Sequence, residues 1–535
     1  MRLPLSARSD LPGHEVTNQP PERGDVDLWT SDPALVEAVT REGGPAPAIA
    51  AHGEKLGRAC WRETAREANR RLPELRQFDA GGRRLDEVGY DAAYHRLMEC
   101  GLEAGYAAMA WEGSAGGHVG HAALVYLHSQ VEPGTCCPMT MSHAAIPLID
   151  ADPALAALWR PKLMSRRHDP SVAPVAAKAG ATMGMAMTEK QGGSDLRATS
   201  TVARPEGEGW RLSGHKWFCS APMSDGLLTL AQAPGGLTCF LVPRWLDEGR
   251  NGVHLLRLKE KLGNRANASA EIEFHDAWAI RLGEEGAGIR TILAMVHQTR
   301  LDTATAPAGL MRAALAEALH WARHRRVFQR RLADQPLMAL VLADLALDWE
   351  GALALAMRVA RAFGGTDEAD RGFARIGVAL AKFLANKLAQ SVIAEAMEAL
   401  GGMGYVEDTV LPMLYREAPL NGIWEGSGNV IALDILRTLE RDGAGRAALR
   451  AELDGVKGWH PAYDSVLAGL PTDRVPQAGA RQVAVQLATL LSAATLARTG
   501  PPEIAQAYAG TRLRPGWRVY GTLADLPAER ILCRF

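Results

Sequence analysis

The sequence predicts a mainly α-helical protein with a small central β-barrel and a helical extension at the C-terminal end. Three observations support this fold class. Helix-start signals lie before residue 180, short β-branched segments fill residues 181–288, and long apolar helical patterns return after residue 289. A chain of 535 residues with 47% apolar and 22% charged residues is long enough for several packed cores.

Residues 1–180 are predicted to form a helical domain preceded by an extended arm. The first 30 residues are rich in Pro, Asp and Arg without apolar periodicity, and we expect this arm to fasten to a neighbouring subunit. Asp-Pro pairs at 32–33 and 152–153 predict helix starts, because Asp caps a helix and Pro suits its first position.

Residues 181–288 are predicted to form the β domain. Segments 199–204 and 210–214 flank the Gly-rich connection 205–209 and indicate a hairpin. Further strands are expected in a small antiparallel barrel or sandwich, at 227–230, 238–242 and 270–274.

Residues 289–440 are predicted to form a helical bundle, and residues 441–535 an added helical domain. Met311, Leu315, Ala318 and Ala322 have the three-and-four spacing of a buried helix face. In the added domain a helix is expected at 481–498, between loops rich in Gly and Pro.

Composition narrows the classes of function. Lys and Arg number 59 against 61 Asp and Glu, so the chain as a whole presents no strong field to a nucleic acid or a membrane. The seven cysteines form no C-x-x-C pair and no zinc spacing, which predicts reduced thiols in a cytoplasmic protein and no metal site. No signal peptide and no stretch approaching a membrane span are predicted.

Three motifs carry the chemistry. The first, at 186–195, is Ala-Met-Thr-Glu-Lys-Gln-Gly-Gly-Ser-Asp, a Gly-rich turn whose backbone N–H groups and hydroxyls can donate to a ring edge or a phosphate. The alternative is a polar β-turn with a helix cap. The second motif, Gly-His-Lys-Trp-Phe-Cys-Ser at 214–220, closes the hairpin, and a plain barrel strand would show the same pattern.

The third motif has two parts. A Gly-Gly-x-Gly turn at 401–404 follows a helical pattern rather than a strand, so it is not a dinucleotide-binding fingerprint. Residues 423–429, Ile-Trp-Glu-Gly-Ser-Gly-Asn, place Glu425 beside an aromatic ring. A carboxylate in a water-poor pocket is a suitable base, whereas a surface turn is the alternative interpretation.

Together these motifs resemble those of the acyl-CoA dehydrogenase family, whose fold we then expect. The resemblance implies FAD as cofactor. Phe218 and Ser220 stand where the family usually has Trp and Thr, and Met413 where Lys or Arg is common. The residues that match cofactor-binding positions are Met187, Thr188, Gly193, Ser194, Phe218, Ser220, Arg325, Phe328, Gln335, Glu398, Gly401, Gly402, Ser427 and Asn429.

The same resemblance implies a reaction and partners. Glu425 matches the base that removes the α-proton of an acyl-CoA, and Arg300 matches an arginine near that carboxylate. An electron-transfer flavoprotein is the implied electron acceptor. Arg325 and Phe328 match an element that reaches a neighbouring subunit's FAD, which implies a homo-oligomer, a dimer of dimers.

Within the family, residues 187–195, 261–269 and 427–429, and the early segment 40–43, resemble the AidB branch. That branch is associated with the DNA alkylation response and with double-stranded DNA. Residues 441–535 hold twelve Arg and Lys against eight Asp and Glu, a net +4, and Arg512, Arg514 and Arg518 are the candidate phosphate contacts. Solvated surface is the alternative for these arginines, and an ordinary dehydrogenase of fatty or branched-chain acid catabolism is the alternative function.

Overall fold

The computed structural model describes residues 7–471, 474–514, 520 and 526–534, with helices on both sides of a sheet domain along the chain. The N-terminal part is mostly helical and also contains two β-hairpins. Its helices are α1 (Pro33–Arg41), α2 (Ala46–Leu56), α3 (Ala59–Arg70), α4 (Ala92–Glu103), α5 (Gly117–Ser129), α6 (Cys136–Asp150) and α7 (Pro153–Leu163). Its strands are β1 (Asp10–Leu11), β2 (His14–Glu15), β3 (Glu74–Phe78) and β4 (Arg84–Gly89).

The two predicted Asp-Pro helix starts are confirmed. The Asp32 carboxylate accepts a hydrogen bond from the N–H of Leu35 at 3.0 Å, and that of Asp152 accepts from Ala154 at 2.9 Å. The hairpin of β3 and β4 was not predicted. Its Val88 is buried in the core of the sheet domain, and such a distant contact is not visible in a local pattern.

The sheet domain has seven strands in one sheet and one small hairpin. The strands are β5 (Met183–Ala186), β6 (Val202–Glu206), β7 (Gly209–Ser220), β8 (Gly226–Ala233), β9 (Gly236–Pro243), β10 (Trp245–Leu246), β11 (Gly249–Arg250), β12 (Val253–Leu258) and β13 (Ser269–Leu282). The order is β12-β13-β9-β8-β5-β7-β6, and β13 also pairs with β7. β5 and β8 are parallel, so the expected purely antiparallel arrangement is wrong. A parallel pair needs a long crossover, here through β6 and β7, and strand patterns do not reveal it. The barrel stays a prediction.

The bundle consists of three long helices with shorter elements at their ends. These elements are α8 (Gly288–His324), β14 (Arg326–Val327), β15 (Arg330–Arg331), α9 (Pro336–Phe363), α10 (Glu368–Ala399), α11 (Leu411–Glu417) and α12 (Gly428–Arg441). The predicted apolar face at Met311, Leu315, Ala318 and Ala322 is buried, as expected. By length and composition α10 could cross a membrane, contrary to the sequence expectation, but 78% of its apolar window is buried inside the protein, as in a core helix.

The C-terminal part adds α13 (Gly443–Asp454), α14 (Pro461–Ala468), α15 (Ala480–Thr499), α16 (Pro502–Arg512) and α17 (Ala528–Leu532). Ala484, Leu491 and Ala494 of α15 are fully buried, and they belong to the same apolar core as the side chains of α9 and α10. The extension therefore packs onto the bundle rather than around a core of its own.

Candidate active site

The loop after β5 lies against strand β7, so the first two sequence motifs form one surface. The N–H of Trp217 donates to the carbonyl of Thr188 at 2.7 Å, and the N–H of Lys190 donates to Nε2 of His215 at 3.1 Å. The two motifs are separate in the sequence, and these hydrogen bonds join them.

A buried ion pair joins the same two segments. Nζ of Lys216 is 2.7 Å from Oε1 of Glu189, and the carboxylate also accepts from the hydroxyls of Ser200 and Thr201. Burial raises the pKa of Glu189, but the hydrogen bonds from Lys216 and Thr201 outweigh burial and hold that pKa well below its ordinary value. Burial lowers the pKa of Lys216 to about 8. The pair fixes the first motif against the second.

Glu425 lies in a strained turn before α12. Its φ is 57°, in the left-handed region, and Gly426 follows at 100°. Trp424 donates from Nε1 to Oδ1 of Asn421 at 2.9 Å, and its ring packs in the same apolar cluster as Met187. The third motif is thereby brought next to the first.

Two cations hold the backbone of this turn. Nε of Arg300 donates to the carbonyl oxygen of Glu425 at 3.2 Å, while its Nη1 pairs with Asp434 at 2.8 Å. Arg300 was predicted to lie near the catalytic carboxylate. The structure places it in the site and shows that its hydrogen bond goes to the backbone.

Lys382 of α10 is the second cation, and sequence reasoning missed it. Its buried Nζ donates to the carbonyl oxygens of Asn421 at 2.6 Å and Gly426 at 3.2 Å. Burial lowers the pKa of Lys382 to about 7, against the opposing influence of the Glu425 charge. A lone lysine in the apolar stretch 373–386 was the signal that could have revealed it.

The surroundings of the half-buried Glu425 favour a proton-accepting carboxylate. Burial raises its pKa above the ordinary value, and the charge of Asp302 acts in the same direction. A hydrogen bond with Thr299 and the charges of Lys382 and Arg300 oppose the rise. The net direction is upward, which makes the carboxylate a better base near neutral pH.

The chain matches three family profiles in order along its length. Residues 18–170 match the profile described as adaptive response protein AidB N-terminal domain. Residues 184–277 and 286–440 match the acyl-CoA dehydrogenase middle and C-terminal domains. AidB of Escherichia coli, named as an acyl-CoA dehydrogenase, is 44% identical over 92% of this chain and 93% of its own. The chain belongs to the AidB branch of the acyl-CoA dehydrogenase family.

Other relatives agree with this membership. Acyl-CoA dehydrogenase family member 11 of Caenorhabditis elegans is 32% identical over 70% of this chain and 63% of its own. The solved structure of Bd2924 in its apo form superposes with a TM-score of 0.83, at 30% identity over 90% of this chain and 99% of that one. The solved structure of C. elegans ACDH-11 in complex with C11-CoA superposes with a TM-score of 0.84, at 26% identity over 99% of this chain and 97% of that one.

As an acyl-CoA dehydrogenase-type protein, the chain is an FAD-dependent oxidoreductase acting on CH–CH groups. The loop after β5 fits this cofactor. A Cβ on Gly192 would meet no atom closer than 3.7 Å, whereas one on Gly193 would lie 2.7 Å from Oγ1 of Thr188. Gly192 therefore presents open backbone, while Gly193 allows the turn to pack closely on Thr188, with exposed Ser194 beside them. Phe218, with 46% of its side chain exposed, and half-buried Ser220 lie on the adjoining β7.

A second group of predicted cofactor residues lies elsewhere on this acyl-CoA dehydrogenase fold. Phe328 is 94% exposed at the tip of the β14–β15 hairpin, Gln335 donates to the Val327 carbonyl at 3.1 Å, and Arg325 to that of Asn18 at 2.7 Å. Glu398 follows Lys382 by 16 residues on α10, about 24 Å along the helix. Glu398 therefore does not join the Glu425 site of the same chain, and Arg325, Phe328 and Gln335 belong to the β14–β15 hairpin and its surroundings.

The remaining predicted cofactor residues lie at the exposed turn after α10 and at the start of α12. A Cβ on Gly401 or Gly402 would meet nothing within 4 Å, so both glycines present open backbone, and the φ of Gly401 is 62°. Ser427 precedes α12 without a side-chain cap bond. Oδ1 of Asn429 accepts from Arg481 of α15 at 2.9 Å, which ties the Glu425 turn to the C-terminal extension.

The three arginines predicted to contact DNA differ in position. The prediction that Arg512 contacts phosphates is wrong. Its side chain is only 2% exposed and pairs with Asp344 at 2.6 Å and with Asp348 at 3.0 Å. Burial lowers the pKa of Arg512, but the two carboxylates outweigh it and raise the pKa above its ordinary value. Arg514 is exposed, and Arg518 lies outside the described residues.

Proposed function

We propose that the protein removes the α-proton of an acyl-CoA thioester with the Glu425 carboxylate. When bound, FAD supplies the acceptor for the β-hydrogen, which leaves as hydride, so the product is an enoyl-CoA. The proton remains on Glu425 until solvent or a neighbouring group takes it. An electron-transfer flavoprotein is the proposed electron acceptor.

The observation that supports this proposal is the construction of the Glu425 turn. Arg300 and Lys382 bind its backbone carbonyls, so both cations stay close without capping the carboxylate with their hydrogen bonds. Burial raises the pKa of that carboxyl. A fixed, partly desolvated carboxylate beside the apolar Trp424 and Met187 has the properties needed to take a weakly acidic proton.

The test is anaerobic titration of the FAD-loaded protein with a panel of acyl-CoA thioesters. The panel contains short, medium and long straight chains and one branched chain. A substrate bleaches the flavin absorbance at stoichiometric addition and yields an enoyl-CoA that chromatography detects. Retention of the full flavin absorbance with every member of the panel contradicts the proposal.

We also propose a dimer of dimers in the cytoplasm, with the β14–β15 hairpin contributing to a neighbouring subunit's FAD site. The support is the almost fully exposed Phe328, which has a φ of 49° and projects from a hairpin pinned by Asn18. A large apolar side chain held in this way is costly in water and suits an interface. Analytical ultracentrifugation of the FAD-loaded protein checks the mass, and a monomer contradicts the proposal.

A second proposed function is binding of double-stranded DNA in the alkylation response. Residues 441–535 carry a net +4, from twelve basic and eight acidic residues. Where this segment meets α12, a groove of about 510 Å³ is lined by Arg437, Arg441 and Arg474 together with Glu440. Since no base-reading motif is visible, contacts to phosphates are expected, with weak sequence preference and steep salt dependence.

The alternative is an ordinary acyl-CoA dehydrogenase of fatty or branched-chain acid catabolism without a DNA role. Fluorescence anisotropy with two unrelated duplexes, at several salt concentrations, distinguishes the two. Equal binding of both duplexes with a steep salt slope supports the DNA role. Absence of binding at low salt, together with acyl-CoA turnover, supports the alternative.

A further inference from the structure

A separate cavity of about 230 Å³ lies between α3, α11 and the loop that carries Arg265. Five arginines and one carboxylate line it, and none of its lining residues belongs to the site around Glu425 in the described part of the chain. The charged residues are Arg62, Arg66, Arg70, Arg265, Arg416 and Glu407.

The positive charge of this arginine cavity is poorly compensated. Arg416 pairs with Glu407, and Arg66 lies 3.5 Å from Glu63. Among the described residues, no carboxylate lies within salt-bridge distance of the remaining three lining arginines, Arg62, Arg70 and Arg265. Arg62 donates instead to the carbonyls of Gly57, Arg23 and Gly24, and Arg70 donates to that of Glu407. Carbonyl oxygens carry no net charge, so the cluster keeps a net positive charge that an anion between the guanidinium groups would offset.

Two buried N–H groups also lack an acceptor. Nε of Arg66 and Nε of Arg416 are inaccessible to solvent and have no hydrogen-bond partner among the described residues. A buried donor on a charged group is costly when unsatisfied, and native proteins rarely leave one so. Because neither nitrogen is open to water, an acceptor in the cavity reaches them only if the two side chains shift.

We propose that the arginine cavity binds the diphosphate group of a small phosphorylated metabolite. The planar guanidinium fork matches phosphate oxygens in a bidentate geometry, and two phosphates offer enough acceptors for several forks. The volume fits such a group but not a duplex. The cavity is separate from the Glu425 site of the same chain, and also from the proposed DNA groove at Arg437, Arg441 and Arg474.

The test is isothermal titration of sodium pyrophosphate into the full-length protein saturated with FAD. One binding event per chain is expected for wild type. Arg70→Gln and Arg265→Gln should each weaken binding at least ten-fold. Arg290→Gln, at a side chain that is 80% exposed and far along the sequence, is the matched control and should bind as wild type does.

Several outcomes would overturn the proposal. They are absence of binding to wild type, equal binding by the cavity variants, and release of FAD as pyrophosphate binds, which would place the anion in the flavin site. If ADP binds in competition with pyrophosphate, the natural ligand is a nucleotide diphosphate. If pyrophosphate binds and ADP does not, the natural ligand is a free diphosphate. Displacement of pyrophosphate by a duplex at stoichiometric amounts overturns the small-molecule assignment. Flavin absorbance and melting temperature report folding, and Arg265→Lys keeps the charge should Arg265→Gln fail to fold.

Discussion

Nε of Arg300 lies 3.2 Å from the carbonyl oxygen of Glu425, so the arginine binds the backbone of the residue whose side chain is the proposed base. Its second hydrogen bond goes to Asp434, which also pairs with Arg375 at 2.7 Å. The two ion pairs connect α8, α10 and α12 beneath one turn. The position of the carboxylate therefore depends on how the bundle packs.

Replacing Glu425 by Gln tests its role as a base. The amide keeps the size of the side chain but cannot accept the proton, so we expect acyl-CoA dehydrogenation to fall by about a hundred-fold or more. FAD content and DNA affinity should stay near wild type. Single-turnover flavin reduction measures the chemical step, and Glu284→Gln, at an exposed carboxylate, is the control. Activity within a few-fold of wild type would assign the base to another residue.

Lys216→Met tests the ion pair that joins the first two motifs. The change leaves the Glu189 carboxylate buried without its cation, which destabilises a protein by about 3 kcal/mol or more. We expect a lower melting temperature and at least ten-fold weaker FAD retention, measured by flavin fluorescence after dialysis. Lys55→Met removes the solvent-exposed pair with Glu103 and should change neither quantity. Equal FAD retention in both variants would show that the pair does not shape the flavin loop.

Glu417→Gln tests a pH dependence of stability. Burial raises the pKa of Glu417 to about 7, and the charge of Glu132 acts in the same direction while Lys261 opposes it. The folded state holds this proton between pH 4.5 and 7 where the unfolded state has lost it, so stability falls as pH rises through this window, by about 3 kcal/mol in all.

The glutamine stays neutral and can still accept from the N–H of Asn264. We therefore expect the melting temperature of the variant, relative to wild type, to increase from pH 5 to pH 8. A constant difference across this range would contradict the assignment. Glu284→Gln again serves as the exposed control.

Arg512→Ala and Arg514→Ala separate a structural arginine from a surface one. Removing Arg512 breaks its buried ion pairs with Asp344 and Asp348, and we expect a loss of about 3 kcal/mol or more of stability. Arg514 is exposed, so its replacement should leave the melting temperature unchanged and lower duplex affinity at low salt. If Arg512→Ala melts as wild type does, the buried ion pairs do not stabilise the C-terminal extension.

The sequence was most informative for structural elements that depend on a local pattern of residues. The Asp-Pro helix starts, the strand segments and the apolar face of α8 depend on neighbours a few residues apart, and each was predicted. Arg512 was assigned wrongly because its partners lie 164 and 168 residues away on α9. Lys382 was missed for the same reason, since only the folded chain brings its Nζ under the Glu425 turn.

The left-handed backbone of Glu425 makes a glutamate at this position less stable than some substitutions would be. A non-glycine residue at a φ of 57° carries strain of about 1 kcal/mol or more, which glycine or asparagine would relieve. Selection for thermal stability alone would therefore favour loss of this carboxylate. The proposed role as a base is what favours keeping the carboxylate, and a stabilised variant from a screen without an activity assay is expected to carry Gly or Asn here.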